Sequence, residues 1–131
     1  MKQERVDPGW AWLSKFNITA GVKVGDQVHL SGLVALDAEG NLVGEGDIYA
    51  QSTKVFENAV EALASVGARI QDVIKITTWL TDMSNYAGFS KARAEAFPNG
   101  IASTAVVSPA LVLPGLLVEV EVIAVIGSGG D

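Results

Sequence analysis

Apolar and polar residues alternate along Val118-Glu119-Val120-Glu121-Val122-Ile123-Ala124-Val125. A period of two predicts a β-strand. Val118, Val120, Val122 and Ala124 fall on one face, and Glu119, Glu121, Ile123 and Val125 on the other. A strand apolar on nearly both faces is expected at the centre of a sheet. Charged residues are almost never fully buried unless paired. The two glutamates therefore predict an outlet on their face: solvent, a partner chain or a polar site.

Similar patterning predicts the other elements. Residues 18–24 and 27–36 read as two strands joined by the tight turn Gly25-Asp26. Ser31-Gly32 interrupts the second, and a glycine there signals a bulge or a close backbone approach. Asp37–Asn41 is the next turn. Residues 48–66 carry helical spacing, with Val55, Phe56, Ala59, Val60, Leu63 and Val66 in one stripe. Asp47 is positioned to cap this helix and Gly67 to end it. The β-branched and aromatic run at 73–80 predicts a strand. A second helix, capped by Asp82 or Ser84, runs to about Phe97, with Tyr86, Phe89, Arg93 and Ala96 or Phe97 along one side. Pro98-Asn99-Gly100 stops it. Strands at 103–108 and 117–126 follow, separated by a loop holding Pro109, Pro114 and Gly115.

The order is β-β-α-β-α-β-β in one domain of 131 residues. Residues 1–17 read as an irregular segment and 127–131 as a frayed tail. Trp10 and Trp12 can cover the core, line a site or meet a neighbouring subunit. Two helices cover one face of a sheet and leave the other bare. The bare, valine-rich face predicts self-association.

Composition narrows the chemistry. There is no cysteine, so disulfides and thiolate chemistry are excluded. The single histidine, His29, cannot form a histidine cluster for a metal. Fifteen acidic residues against nine basic ones disfavour binding along a nucleic-acid backbone. No apolar run reaches membrane-spanning length. The first five residues lack a signal-peptide core, so a soluble, cytoplasmic protein is expected.

Several residues are open to two readings. Glu119 is a general base or water-positioning group, or a rim carboxylate making a structural hydrogen bond. Glu121 has the same options, with an interfacial ion pair favoured. Ser31-Gly32 offers a hydroxyl and a bare N–H to a ligand, or forms a bulge. Ser103-Thr104 offers hydroxyls, or is ordinary strand. His29 is read as structural, because no nucleophile–base pairing is suggested. Gly44-Glu45-Gly46 lacks a phosphate-cradle pattern.

The same segments resemble a known family. Gly21-Val-Lys-Val-Gly-Asp-Gln-Val-His-Leu-Ser-Gly32 resembles the first hairpin of the RidA/YjgF reactive intermediate deaminases. Gly46-Asp-Ile-Tyr-Ala-Gln51 with Asn58 resembles their first helix. Val66-Gly67 and Asp72–Asp82 resemble their third strand. Ala102-Ser-Thr-Ala-Val106 and Val118–Ala124 resemble their closing strands. The likeness spans residues 18–126. It implies a chorismate-mutase-like α+β fold, with one mixed sheet and two helices on one face. It also implies assembly as a homotrimeric barrel with three small-molecule clefts between subunits. Active members hydrolyse enamines and imines, such as 2-aminoacrylate, to a keto product and ammonia, without a cofactor or metal.

Carried over by position, Glu119 matches the carboxylate that aids water attack. Ser31 and Gly32 match the cleft serine-glycine. Ser103 stands where the family has an arginine that grips the substrate carboxylate, Ile18 or a neighbour stands for a tyrosine, Ser90 for an asparagine and Ala105 for a cysteine. Loss of a bidentate guanidinium–carboxylate contact from a partly buried site costs about 2–5 kcal/mol of binding. Ser31, Gly32, Ser90, Ser103, Thr104 and Ile18 then predict a neutral, partly apolar cleft for a substrate that is neutral or larger than an amino-acid imine. Lys91 and Arg93 are the candidates for a replacement cation near Ser103. Two further readings stand beside the hydrolase: a non-catalytic trimeric metabolite-binding protein, and an endoribonuclease or translation inhibitor, against which the acidic balance and the lone histidine argue.

Overall fold

The computed structural model describes residues 1–130. Its strands are β1 (Gln3–Val6), β2 (Gly21–Val24), β3 (Gln27–Leu30), β4 (Val73–Leu80), β5 (Ala102–Val107) and β6 (Val118–Val125). Its helices are α1 (Ile48–Ala64) and α2 (Tyr86–Ala96). The strands form one mixed sheet in the order β1-β2-β3-β6-β4-β5. β4 and β5 run parallel, with α2 as the crossover that a parallel pair requires; the other pairs are antiparallel.

β6 lies inside the sheet, as its alternation predicts. Val118, Val120, Val122 and Ala124 are fully buried, while Glu119, Glu121, Ile123 and Val125 face away from the core. Cross-strand register extends that outer face through His29, Lys75, Thr77 and Trp79 to Thr104 and Val106. It is the bare face expected of two helices on one sheet.

The helices follow their patterns with local departures. The Asp47 carboxylate caps α1 by accepting a hydrogen bond from the Ala50 amide at 3.0 Å. Gly67 adopts a positive φ of 80° just beyond the helix, where a side chain would be strained. Val60, expected in the buried stripe, is 47% exposed. The buried face is centred on Val55, Ala59 and Ala62, and Val60 lies past its edge. Asp82 caps a short 3₁₀ turn at Met83–Asn85 through the Ser84 amide, and α2 starts only after it.

Both chain ends are more ordered than their composition suggests. Residues 1–17 are not wholly irregular, because β1 pairs in register with β2. Trp10 and Trp12 are buried and stacked, with ring centroids 5.6 Å apart. Their indole N–H groups donate to Glu61 Oε1 and to the Asp37 carbonyl, both at 3.1 Å. Of the expected frayed tail, Asp131 lies outside the described residues. Gly129 donates its amide to the buried carboxylate of Asp72 at 3.0 Å. Burial pushes the Asp72 pKa up, but the Gly129, Arg69 and Gly127 amides and the Arg69 charge outweigh it and hold the group below its ordinary value.

Candidate active site

The site begins with an extra residue in β3. Gln27, Val28 and His29 stand opposite Val125, Ala124 and Ile123. That register, continued, would put Gly32 opposite Val120, yet Leu33 stands there. Ser31-Gly32 is therefore a bulge, one of the two readings open from sequence. Around it the backbone is bonded at Ser31, whose amide donates to the Ala20 carbonyl, and at Leu33, which exchanges hydrogen bonds with Val120. The Gly32 amide has no backbone acceptor among the described residues.

Glu119 lies against this bulge. A Cβ built on Gly32 would sit 2.8 Å from the Glu119 Cδ and closer still to Oε2, so only glycine leaves the carboxylate its place. Ser31, Gly32, Glu119 and Ile18 share a cavity of about 410 Å³ with Trp12, Phe16, Val34, Leu36, Val112 and Leu113. That size suits a small molecule, and the walls are mainly apolar. Four of the seven residues expected at the site thus meet in one place.

The surroundings act on Glu119 in one direction. Burial raises its pKa above the ordinary value of 4.5, and the neighbouring Glu121 charge raises it further. Among the described residues no hydrogen bond offsets these effects. Glu121 is exposed and lines a different groove, with His29, Ser31 and Ile123, on the open sheet face. The two glutamates share a strand face but not an environment.

Buried amides brace the walls. Asn58 Nδ2 donates to the carbonyls of Val34 and Leu36 at 3.0 and 2.9 Å. Gln51 Nε2 donates to the Gly44 and Gly115 carbonyls, and its Oε1 accepts from the Leu117 amide just before β6. Both side chains are buried. The Ser31 hydroxyl donates to the Thr19 carbonyl at 2.8 Å, so toward a ligand it is an acceptor.

The remaining expected residues lie elsewhere in the chain. Ser103 and Thr104 are adjacent on β5 and face opposite ways. Thr104 Oγ1 accepts from Lys75 Nζ at 2.7 Å on the open face. Ser103 turns toward α2, where its hydroxyl accepts from Arg93 Nη1 at 3.1 Å. Ser90 lies beside the same guanidinium at 3.4 Å. Phe16, Val112 and Leu113 were not foreseen as cavity walls. The spacing of Trp12 and Phe16 was the only local signal.

Comparison with known proteins agrees with this architecture. The family model described as Endoribonuclease L-PSP matches residues 13–126. A RutC family protein of Pyrococcus abyssi is 30% identical over 103 residues, which cover 79% of this chain and 81% of the relative. The crystal structure of a YjgF/YER057c/UK114 family member from Mycobacterium tuberculosis superposes with a TM-score of 0.82 at 27% identity, covering 95% of this chain and 100% of that one. An L-PSP protein of Entamoeba histolytica superposes with a TM-score of 0.87 at 31% identity and the same coverage.

Proposed function

The chain belongs to the Endoribonuclease L-PSP family, the YjgF/RidA family, and from that premise we propose that it is a hydrolase of small reactive imines or enamines. The observation that carries this reading is the Glu119 carboxylate, half-buried against a glycine bulge in an apolar cavity, with its pKa raised. A carboxylate so placed is a better base than one in water.

In the proposed reaction Glu119 orients a water and takes a proton from it. The water oxygen bonds to the imine carbon while the nitrogen gains a proton. The Glu119 carboxylic acid then returns its proton to the carbinolamine nitrogen, the O–H proton passes to solvent as the C–N bond breaks, and ammonia departs from a keto product. An enamine first gains a proton at carbon. The Gly32 amide and the Ser31 oxygen are available to hold the polar end of the substrate, and Trp12, Phe16, Ile18 and Leu113 to hold its apolar body. No cofactor takes part in this scheme.

The reading includes assembly as a cytoplasmic homotrimer, with the open sheet faces turned inward and the clefts between subunits. This arrangement would bring Ser90 and Ser103 of one copy to the Glu119 cavity of the next. Among the described residues no helix is long and apolar enough to cross a membrane. An RNA backbone is a poorer fit to the cavity than a small molecule, given its apolar walls and the net charge of −6. Turnover of imines by the Glu119→Gln variant tests the proposal: a loss of about 10²-fold or more is expected, and full retention contradicts it.

A further inference from the structure

We propose that the N-terminal loop encloses a second ligand site, separate from the Glu119 cavity, for an α-amino acid with an apolar side chain. The loop runs over residues 7–20. Its ends meet because Val6, the last residue of β1, pairs with Gly21, the first of β2. A surface loop of about 6–16 residues with joined ends is an Ω-loop, which ordinarily packs its own side chains inside. Here Trp10, Trp12 and Leu13 are buried, yet a cavity of about 490 Å³ remains, lined by the loop and the end of β1 from Arg5 to Thr19. It is larger than the Glu119 cavity and within the usual range of small-molecule sites, about 300–1,000 Å³.

The walls are tied down. Trp10 donates its indole N–H to Glu61 on α1 at 3.1 Å and stacks on Trp12. The Ala11 amide donates to the Ala38 carbonyl at 2.9 Å, and the amides of Phe16 and Ile18 both donate to the Leu13 carbonyl at 3.2 Å. These bonds join the loop to α1, to the turn at 37–41 and to itself, so the cavity keeps its shape without a ligand.

Its lining divides in two. Val6, Trp10 and Leu13 give a buried apolar floor. Arg5, Asp7, Ser14 and Asn17 are exposed and give a polar rim. Arg5 takes part in none of the salt bridges among the described residues, which join Lys23 to Glu4, Lys54 to Glu57 and Arg69 to Asp72. Asp7 Oδ1 accepts from the Gly9 amide at 2.9 Å, which orients the carboxylate and leaves Oδ2 for a ligand. The two charges sit two residues apart where β1 ends, about 7 Å of extended chain. That spacing has room for an α-carboxylate on Arg5 and an α-ammonium on Asp7. A simple acid would meet Asp7 unfavourably and a simple amine would meet Arg5 so, whereas a zwitterion suits both. Its side chain then gains by covering the apolar floor.

The two cavities adjoin within one chain. Ile18 lines both, and the stacked Trp10 and Trp12 line one each. Glu119 and Gly32 line only the second. An amino acid in the loop therefore rests against side chains that also shape the Glu119 cavity. Its binding is independent of any hydrolysis at Glu119.

Calorimetric titration of the full chain with L-leucine tests the site against three probes that each lack one part. The probe 4-methylpentanoate has no ammonium, 3-methylbutylamine no carboxylate and glycine no apolar body. Leucine is expected to bind, and each lesser probe to bind at least about fivefold more weakly. Arg5→Gln and Asp7→Asn should each weaken leucine binding at least about fivefold, while Glu119→Gln leaves it within about twofold. No leucine binding up to roughly 10 mM, equal binding of any lesser probe, unchanged binding in either rim variant, or a matching loss in Glu119→Gln would overturn the proposal. If a rim variant fails to fold, the Trp10 indole N–H resonance of the unaltered protein is read instead. A shift with leucine and none with glycine supports the proposal, and any other response overturns it.

Discussion

Replacing Gly32 with alanine is expected to separate the chemistry from the fold. The new Cβ would fall 2.8 Å from the Glu119 Cδ and 3.1 Å from its Cγ, closer than non-bonded carbons approach. The carboxylate must then move by about 1 Å to reach ordinary contact. It can do so, because the obstacle is the end of a flexible side chain and no hydrogen bond among the described residues holds it. Gly32 does not have a positive φ, so alanine fits the backbone without strain. Stability should change by no more than about 1 kcal/mol. A misplacement of about 1 Å can cost on the order of 10²-fold in rate. The assay follows keto-product release from imines generated by an amino-acid oxidase, alongside thermal melting and NMR titration of the Glu119 carboxyl. Turnover should fall about a hundredfold. The Glu119 pKa should drop back toward 4.5 as the group swings to solvent. Unchanged turnover with an unchanged pKa, or collapse of the fold, would show that Gly32 does not make room for the carboxylate in this way.

Other perturbations probe the frame around the site. Asn58→Ala leaves the Val34 and Leu36 carbonyls without their donor. It should cost about 3 kcal/mol, or roughly 10 °C in Tm by calorimetry, and a loss of under about 3 °C contradicts the bracing role. Glu119→Gln should change stability with pH in a defined direction. The folded-state pKa is raised, so the native protein binds this proton more tightly than the unfolded chain, and the carboxylate penalises folding increasingly as pH climbs from 4.5 through the raised value. The variant should therefore equal or exceed the parent in Tm at pH 7, with the advantage vanishing below 4.5; a parent more stable at pH 7 contradicts this. Ile123→Arg puts a charge on the open sheet face beside His29 and Lys75. Light scattering should show the proposed trimer of 13.7 kDa chains fall to single chains, and retention of the trimer mass contradicts burial of that face.

Much of the frame was legible in the sequence because it rests on strong periodicity. The eight-residue alternation of β6 and the capped stripe of α1 are long enough to speak for themselves. β1 was missed because Gln3–Val6 is four residues long and mostly polar, and is a strand only through its pairing with β2. The interruption at Ser31-Gly32 was visible. That it sets the carboxylate of Glu119 apart from Glu121 was not, since this depends on a register shift between distant strands. Ser103 and Thr104 looked like one hydroxyl pair, but neighbours on a strand point to opposite faces. The cavity walls at Phe16 and Leu113 come from segments about a hundred residues apart, and no local pattern joins them.

The proposed chemistry depends on Glu119 activating water at this cavity. Single-turnover hydrolysis of an imine by Glu119→Gln, with ligand affinity measured on the same sample, tests it most directly. Binding should persist while the rate of keto-product release falls by about 10²-fold or more. Hydrolysis at the unaltered rate with intact binding would contradict it.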